Sequence, residues 1–297
     1  MPTNRSGLAA ALAAYLIWGL LPLYWPLLEP AGAVEILAHR LAWSFVLIVV
    51  LLACTIGFRW LRTLGRRRAG MLAVAAVIVT VNWGIYIYGV NSEHVVERAL
   101  GYFINPLVTV ALAVGVLRER LSRAQRVAVA IATLAVVVLA IDYGRPPWIA
   151  LALACSFGLY GLIKKQVGVD GTQSLAVETA TMLLPALAFI AWLNLTGRAT
   201  FGHQGAGHAL LLAGSGVATA VPLMCFGAAA IRIPLSTLGV IQYVAPVLQF
   251  LIGVLVDGEP MPPSRLAGFA LVWVALVVLS WDAVRTARAR RLAPVPA

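Results

Sequence analysis

"RALGYFINPLVTVALAVGVLRERL", residues 98–121, is an apolar run interrupted by an Asn-Pro pair and closed by Arg-Glu-Arg. Proline inside a helix removes a backbone donor and clashes with the carbonyl four residues earlier, at a cost of ~3 kcal/mol or more. Glu119 follows Pro106 at a distance of thirteen residues, and Asp142 closes the next apolar run. The same three residues recur as Pro246, Glu259 and Asp282, each shifted by 140 positions. Upstream, "LIWG" (16–19) lies against "GLYG" (158–161) at an offset of 142, and Glu35 against Glu178 at 143. Gly89 and Leu100 match Gly227 and Leu238, both at 138. A consistent series of this kind marks an internal duplication. The units are placed at 1–141 and 142–283, followed by a basic tail at 284–297.

Composition fixes the class of the duplicated unit. The chain has 297 residues, 62% hydrophobic and 11% charged, with a mean hydropathy of +0.93. Soluble domains carry roughly a quarter charged residues, so this chain cannot cover a water-facing surface. Membrane spans need ~17–25 mostly apolar residues. Ten are expected, near 7–28, 34–56, 71–90, 100–117, 124–141, 147–163, 174–195, 208–229, 238–256 and 265–282. A run such as "VAVAIATLAVVVLAI" (127–141) excludes the short alternating segments of a β-barrel. The fold class is therefore an all-α integral membrane protein. Five helices per unit is an odd number, so the second copy crosses the membrane inverted relative to the first. Inverted repeats recur in secondary transporters, with the substrate site near the midplane between the halves.

The net charge of +11 reflects orientation rather than a nucleic-acid partner. With the N-terminus inside, 17 Lys and Arg fall on the cytoplasmic side and 5 on the other, as the positive-inside rule requires. Both termini are then cytoplasmic. The small-residue stretch "AAALAA" (9–14) begins the first apolar run instead of ending it, so a retained helix is expected in place of a cleaved signal. Cys54, Cys155 and Cys225 all fall in spans and give no disulfide framework. The longest loop, around 196–207, leaves no room for a nucleotide-hydrolysing domain, and no G-x-x-x-x-G-K-[ST] motif occurs.

Polar groups at membrane depth are expensive and default to functional candidates. In "NWGIYIYGVN" (82–91), Asn82 and Tyr86 share a helical face and Trp83 adjoins both. Tyr88 and Asn91 fit an interfacial belt, whereas Asn82 and Trp83 lie nearer mid-span and fit a cavity lining. Tyr102 and Asn105 on the fourth span match a helix carrying Gln242, Tyr243 and Gln249. Interhelical glue is the competing role for such amides, strongest for Gln249. Pro106 and Pro246 are expected to kink facing helices, so that freed carbonyls join Asn105, Gln242 and Tyr243 at the midplane. Glu35, Arg40, Glu97 and Glu178 are candidates for coupling or gating, with an outer-mouth ion pair between Glu35 and Arg40. Lys164 and Lys165 read as cytoplasmic anchors. Glu35 and His39 have metal-pair spacing, but no third or fourth ligand appears, so neither a metal nor another cofactor is expected. No nucleophile–base–orienter set occurs, which disfavours the alternative of a membrane enzyme acting on lipid head groups.

"ERALGYFINPLVTVALAVGVLRERLSRAQ" (97–125), "NWGIYIYGVN" and "VPLMCFGAAAIRIPLSTLGVIQYVAP" (221–246) resemble the RarD branch of the drug/metabolite transporter superfamily, whose repeat unit is the EamA domain. The resemblance extends over roughly residues 5–283. It implies a ten-helix fold of two inverted five-helix repeats, and export or exchange of small organic molecules across the inner membrane without ATP. The branch name is attached to chloramphenicol sensitivity or resistance, an association and not a defined substrate. In the family, helices equivalent to spans 1, 3, 4, 6, 8 and 9 line the cavity. By position this favours Trp18, Asn82, Trp83, Tyr86, Tyr102, Asn105, Tyr160, Gln242 and Tyr243. The implied partners are a small-molecule substrate and the lipid bilayer. The spacing of Ala111 and Gly115 permits close helix packing, which leaves a homodimer open.

Overall fold

The computed structural model describes residues 5–91, 95–143 and 147–256, with 266, 270, 271, 273, 274 and 277 as isolated helical positions. The tenth expected span and the basic tail lie largely or wholly outside these residues, as do Glu259 and Asp282. The side chains of Asn91, Glu97, Tyr102 and Asp142 lie outside them as well.

Among the described residues the chain is all helix. In order these are α1 (Arg5–Leu20), α2 (Ala33–Cys54), α3 (Arg66–Asn91), α4 (Val95–Gly115) and α5 (Arg123–Tyr143). They continue with α6 (Trp148–Val167), α7 (Gly171–Leu195), α8 (Gly205–Arg232), α9 (Leu235–Ile241) and α10 (Val244–Leu255). Seven segments are long and apolar enough to cross a membrane, and α4 adds a shorter apolar stretch, Phe103–Gly115. The protein is a multi-pass membrane protein.

Proline chemistry explains the departures from uninterrupted spans. The first span, expected as one helix over 7–28, is α helical only to Leu20 and then passes into two 3-10 turns, Leu21–Leu23 and Trp25–Leu28, each with proline in its first two positions. Pro22 has no N–H to give the carbonyl of Trp18, four residues earlier. Gln249 on α10 supplies the missing donor, Nε2 to O at 3.2 Å, which gives this amide the structural role weighed for it. The α bonding of the ninth span is interrupted between α9 and α10 at Gln242–Tyr243, where the backbone stays right-handed helical but the bonds tighten to 3-10 spacing. Gln242 is the residue whose carbonyl the ring of Pro246 would strike, and that carbonyl accepts the Ala245 N–H at 3.2 Å instead. The expectation of a freed carbonyl is thus corrected at this position. In contrast, α4 runs through Pro106 without interruption.

The packing follows a regular scheme. α1 lies on α8 and α10, α3 on α6, α4 on α6 and α9, and α2 on α7 and α8. Where helices carry Ala and Gly the backbones come close, as small residues allow in lipid-facing bundles. A Cβ on Gly239 of α9 would sit 3.0 Å from the Thr109 methyl of α4. The main apolar core joins both halves, from Tyr15, Ile48 and Leu72 to Leu175, Phe226 and Leu235.

Candidate functional site

α4, with Pro106, and the ninth span, with Pro246, meet at matching positions. Tyr243, at the break between α9 and α10, donates its hydroxyl to the carbonyl of Phe103 on α4 at 3.3 Å, across 140 residues. That is also the offset separating Pro106 from Pro246. Thr109, one turn beyond Asn105 on α4, donates its hydroxyl to the Asn105 carbonyl at 3.0 Å and lies 3.4 Å from Gln242 Oε1. Gln242 and Tyr243 are buried, and Asn105 is half-buried. The Oδ1 of Asn105 is buried with no partner among the described residues. An unpartnered buried acceptor carries a desolvation cost of ~1–3 kcal/mol, which a ligand donor would relieve.

An aromatic group forms where α1, α6 and α8 meet. Trp18 of α1 meets Phe157 of α6 at a centroid distance of 5.6 Å and Phe226 of α8 at 5.7 Å. Tyr15 lies 5.5 Å from Trp18, and Tyr160 stacks on Phe226 at 5.7 Å with planes 15° apart. Trp18 is half-buried, whereas Tyr160 is fully enclosed. Offset and edge-to-face pairs at these distances contribute ~0.5–1.5 kcal/mol each beyond burial. Phe157 and Phe226 carried no signal in the sequence, since any apolar span contains such residues.

Tyr160 leads from the aromatic group into a charged one. Its hydroxyl donates to Glu178 Oε2 at 2.9 Å, while Lys164 Nζ lies 2.6 Å from Glu178 Oε1. Ser174 donates to the same Oε1 at 2.7 Å. Lys164 and Glu178 are 2% and 3% exposed, so both charges are withdrawn from water and lipid. The reading of Lys164 as a cytoplasmic anchor is therefore overturned: it completes a buried ion pair. Glycine makes the room, because a Cβ on Gly227 of α8 would lie 3.2 Å from Lys164 Cε. Lys165 turns its ammonium to the carbonyl of Ile233 instead.

At the opposite end of the bundle, Glu35 accepts the backbone N–H groups of Thr200 (2.7 Å) and Phe201 (3.3 Å). His39 stacks on the Phe201 ring with centroids 4.7 Å apart. Arg40 lies against two tryptophan faces, 4.7 Å from the Trp25 centroid and 4.5 Å from that of Trp83, and donates Nε to Thr219 Oγ1 at 2.8 Å. The structure thus engages Glu35 and Arg40 differently from the expected ion pair. Cation–π contact of this kind is worth ~0.5–2 kcal/mol.

Asn82 is 8% exposed, and its Nδ2 donates to the Leu153 carbonyl (2.9 Å) and to Ser156 Oγ (2.8 Å), tying α3 to α6. Trp83 and Tyr86 are half-buried and Tyr88 is exposed. Among the described residues, no three His, Cys, Asp or Glu side chains gather as a metal site would need.

Comparison with known proteins follows the same lines. The family model described as "EamA-like transporter family" matches twice, over residues 5–141 and 146–281. "Protein RarD" of Streptomyces exfoliatus is 58% identical over 97% of this chain and 92% of its own length. "Protein RarD" of Escherichia coli is 41% identical over 96% and 97%. One solved crystal structure superposes with a TM-score of 0.71 over 93% of this chain and 98% of the other, at 18% identity, a likeness of fold alone.

Proposed function

Because the chain belongs to the EamA-like transporter family, and is a membrane transporter of the drug/metabolite type and not an enzyme, we propose that it moves small organic molecules by alternating access. The units at 1–141 and 142–283 form ten helices in inverted orientation in the inner membrane, with both termini and the 284–297 tail cytoplasmic. They rock about a midplane site without ATP. The scheme of helix contacts supports this layout. Exchanging the units turns α1 on α8 into α6 on α3, and α1 on α10 into α6 on α4, while α2 on α7 maps onto itself.

The observation that carries the proposal is the meeting of α4 with the broken ninth span through Tyr243 and Phe103. Broken helices at membrane depth are tolerated where they line a binding cavity. Trp18, Trp83, Tyr86, Tyr102 and Asn105 contact the cargo, with the side-chain Oδ1 of Asn105 as the unfilled acceptor. Asn82, Tyr160, Gln242 and Tyr243 set the walls through their hydrogen bonds. Aromatic faces suit apolar or cationic organic cargo, and the amide and phenol groups suit its polar substituents. Glu35, Arg40 and Glu97 belong to the outer gate, and Glu178 to the inner one.

Purified protein should first be screened for thermal stabilisation against a metabolite and drug panel that includes chloramphenicol, since binding to the folded state stabilises it by mass action. Each hit is then tested for counterflow in liposomes. Hits that drive counterflow support the proposal; head-group turnover without counterflow would overturn it.

A further inference from the structure

The spacing of Pro106 and Glu119 has a partner in space that the cargo site does not use. α9 starts after Pro234, which has no side-chain acceptor and makes no capping bond. The first N–H groups of a helix have no partner within it, and the usual remedy is an oxygen-bearing residue at the cap. Here the oxygen comes from the other unit. Glu119 Oε1 accepts the N–H of Leu235 at 2.8 Å, and Oε2 accepts the N–H of Ser236 at 2.9 Å and its hydroxyl at 2.7 Å. Three bonds to one carboxylate, placed at the positive end of a helix, are charge-assisted.

Glu119 is itself held in place. It follows Arg118, whose φ of 56° turns the chain left-handed at the end of α4. Its own N–H donates to the Ala113 carbonyl at 3.0 Å. The clamp therefore links the end of α4 rigidly to the start of α9, and α9 has only seven residues, too few to hold together alone. The other end of α9 is the break at Gln242–Tyr243. A short helix is thus clamped across the two units at one end and carries cargo-site side chains at the other.

We infer that Glu119 is the latch of the cytoplasmic gate: it holds α9 against α4 while the inner face is closed, and its release lets α9 swing about Gln242–Tyr243. Glu119 is a positioning residue and touches no cargo. The inference rests on the alternating-access reading above, and on the arginine distribution for which face is cytoplasmic. A static cap would bind the same atoms, so the test must report on the far side of the membrane.

The full chain, with Cys54, Cys155 and Cys225 replaced by Ala, is placed in lipid nanodiscs and spin-labelled in two ways. Labels at Arg123→Cys and Arg232→Cys span the latched face, and labels at Tyr88→Cys and Leu210→Cys span the opposite face. Glu119→Ala is expected to raise the long-distance population at the latched face about tenfold, in line with the loss of charge-assisted bonds, and to shorten the distances at the opposite face. Glu119→Gln and Ser236→Ala should give smaller shifts in that order, and they carry the test if Glu119→Ala does not fold. Unchanged distances, or broadening at the latched face with none at the other, would overturn the latch and leave only a cap. Liposome counterflow of panel hits by the unsubstituted protein, measured separately, shows whether it is the transport reading that fails.

Discussion

Glu35 and Glu178 occupy matching places in the two units, yet their surroundings have diverged. Glu35 reaches across to the other unit and accepts two backbone N–H groups of the α7–α8 loop. Glu178 stays within its own unit, paired with Lys164 and hydrogen-bonded by Ser174 and Tyr160. The first carboxylate fastens a loop through backbone N–H groups; the second is paired with a lysine and fastens two consecutive helices. Duplication supplied the same residue twice, and the neighbours decided what it does. A buried charge requires a partner, but backbone dipoles and an ammonium ion are different partners with different costs of removal.

The largest effect should come from breaking the Lys164–Glu178 pair. Lys164→Ala leaves Glu178 buried and unpaired, and should destabilise the protein by ~3–5 kcal/mol, read as a drop in the thermal unfolding temperature in detergent. The double change Lys164→Met with Glu178→Leu should recover most of that loss. A double variant no more stable than Lys164→Ala would mean the pair does more than balance charge. Next, Glu35→Gln removes the charge from two backbone hydrogen bonds and should cost ~1–2 kcal/mol, with faster proteolysis in the loop at 196–204. A loss as large as that of Lys164→Ala would erase the distinction between the two ends. Ser44→Ala removes a single α2–α8 bond, Ser44 Oγ to the Gly216 carbonyl at 3.0 Å. It should cost only ~0.6 kcal/mol, the usual worth of such a bond in a membrane bundle, with no change in loop cleavage.

Much of the fold was legible because hydropathy and repeat offsets are local properties of the chain. The interruption near Pro246 was legible as an expected kink, whereas that at Pro22 was not: the first span was expected as one helix over 7–28 and leaves the α pattern after Leu20. What was not legible was which proline breaks its helix. Pro106 and Pro246 sit at matching positions, yet α4 is continuous and the ninth span is not. The proline alone does not decide the outcome: before Pro246 the Ala245 N–H turns to the Gln242 carbonyl in a local 3-10 bond, three residues apart. Within the site, amides and aromatic residues stood out by their rarity in lipid. Their division into exposed and committed groups did not, since Asn82 and Asn105 differ only in what α6 and α9 bring near them. Lys164 was misread for a related reason. Its place at the end of a span predicts a surface anchor, and only the absent side chain of Gly227 on a distant helix makes room to bury it.

The most direct test of the account is counterflow in liposomes of a panel hit by the native protein and by Asn105→Ala and Tyr102→Ala, each checked for folding by its unfolding temperature. The account predicts native counterflow that rises with cargo on the far side and falls at least ~tenfold in each variant, the loss expected when a polar group of a binding site is removed. Native rates in both folded variants would contradict it, and would move the cargo site away from the crossing of α4 with the broken ninth span.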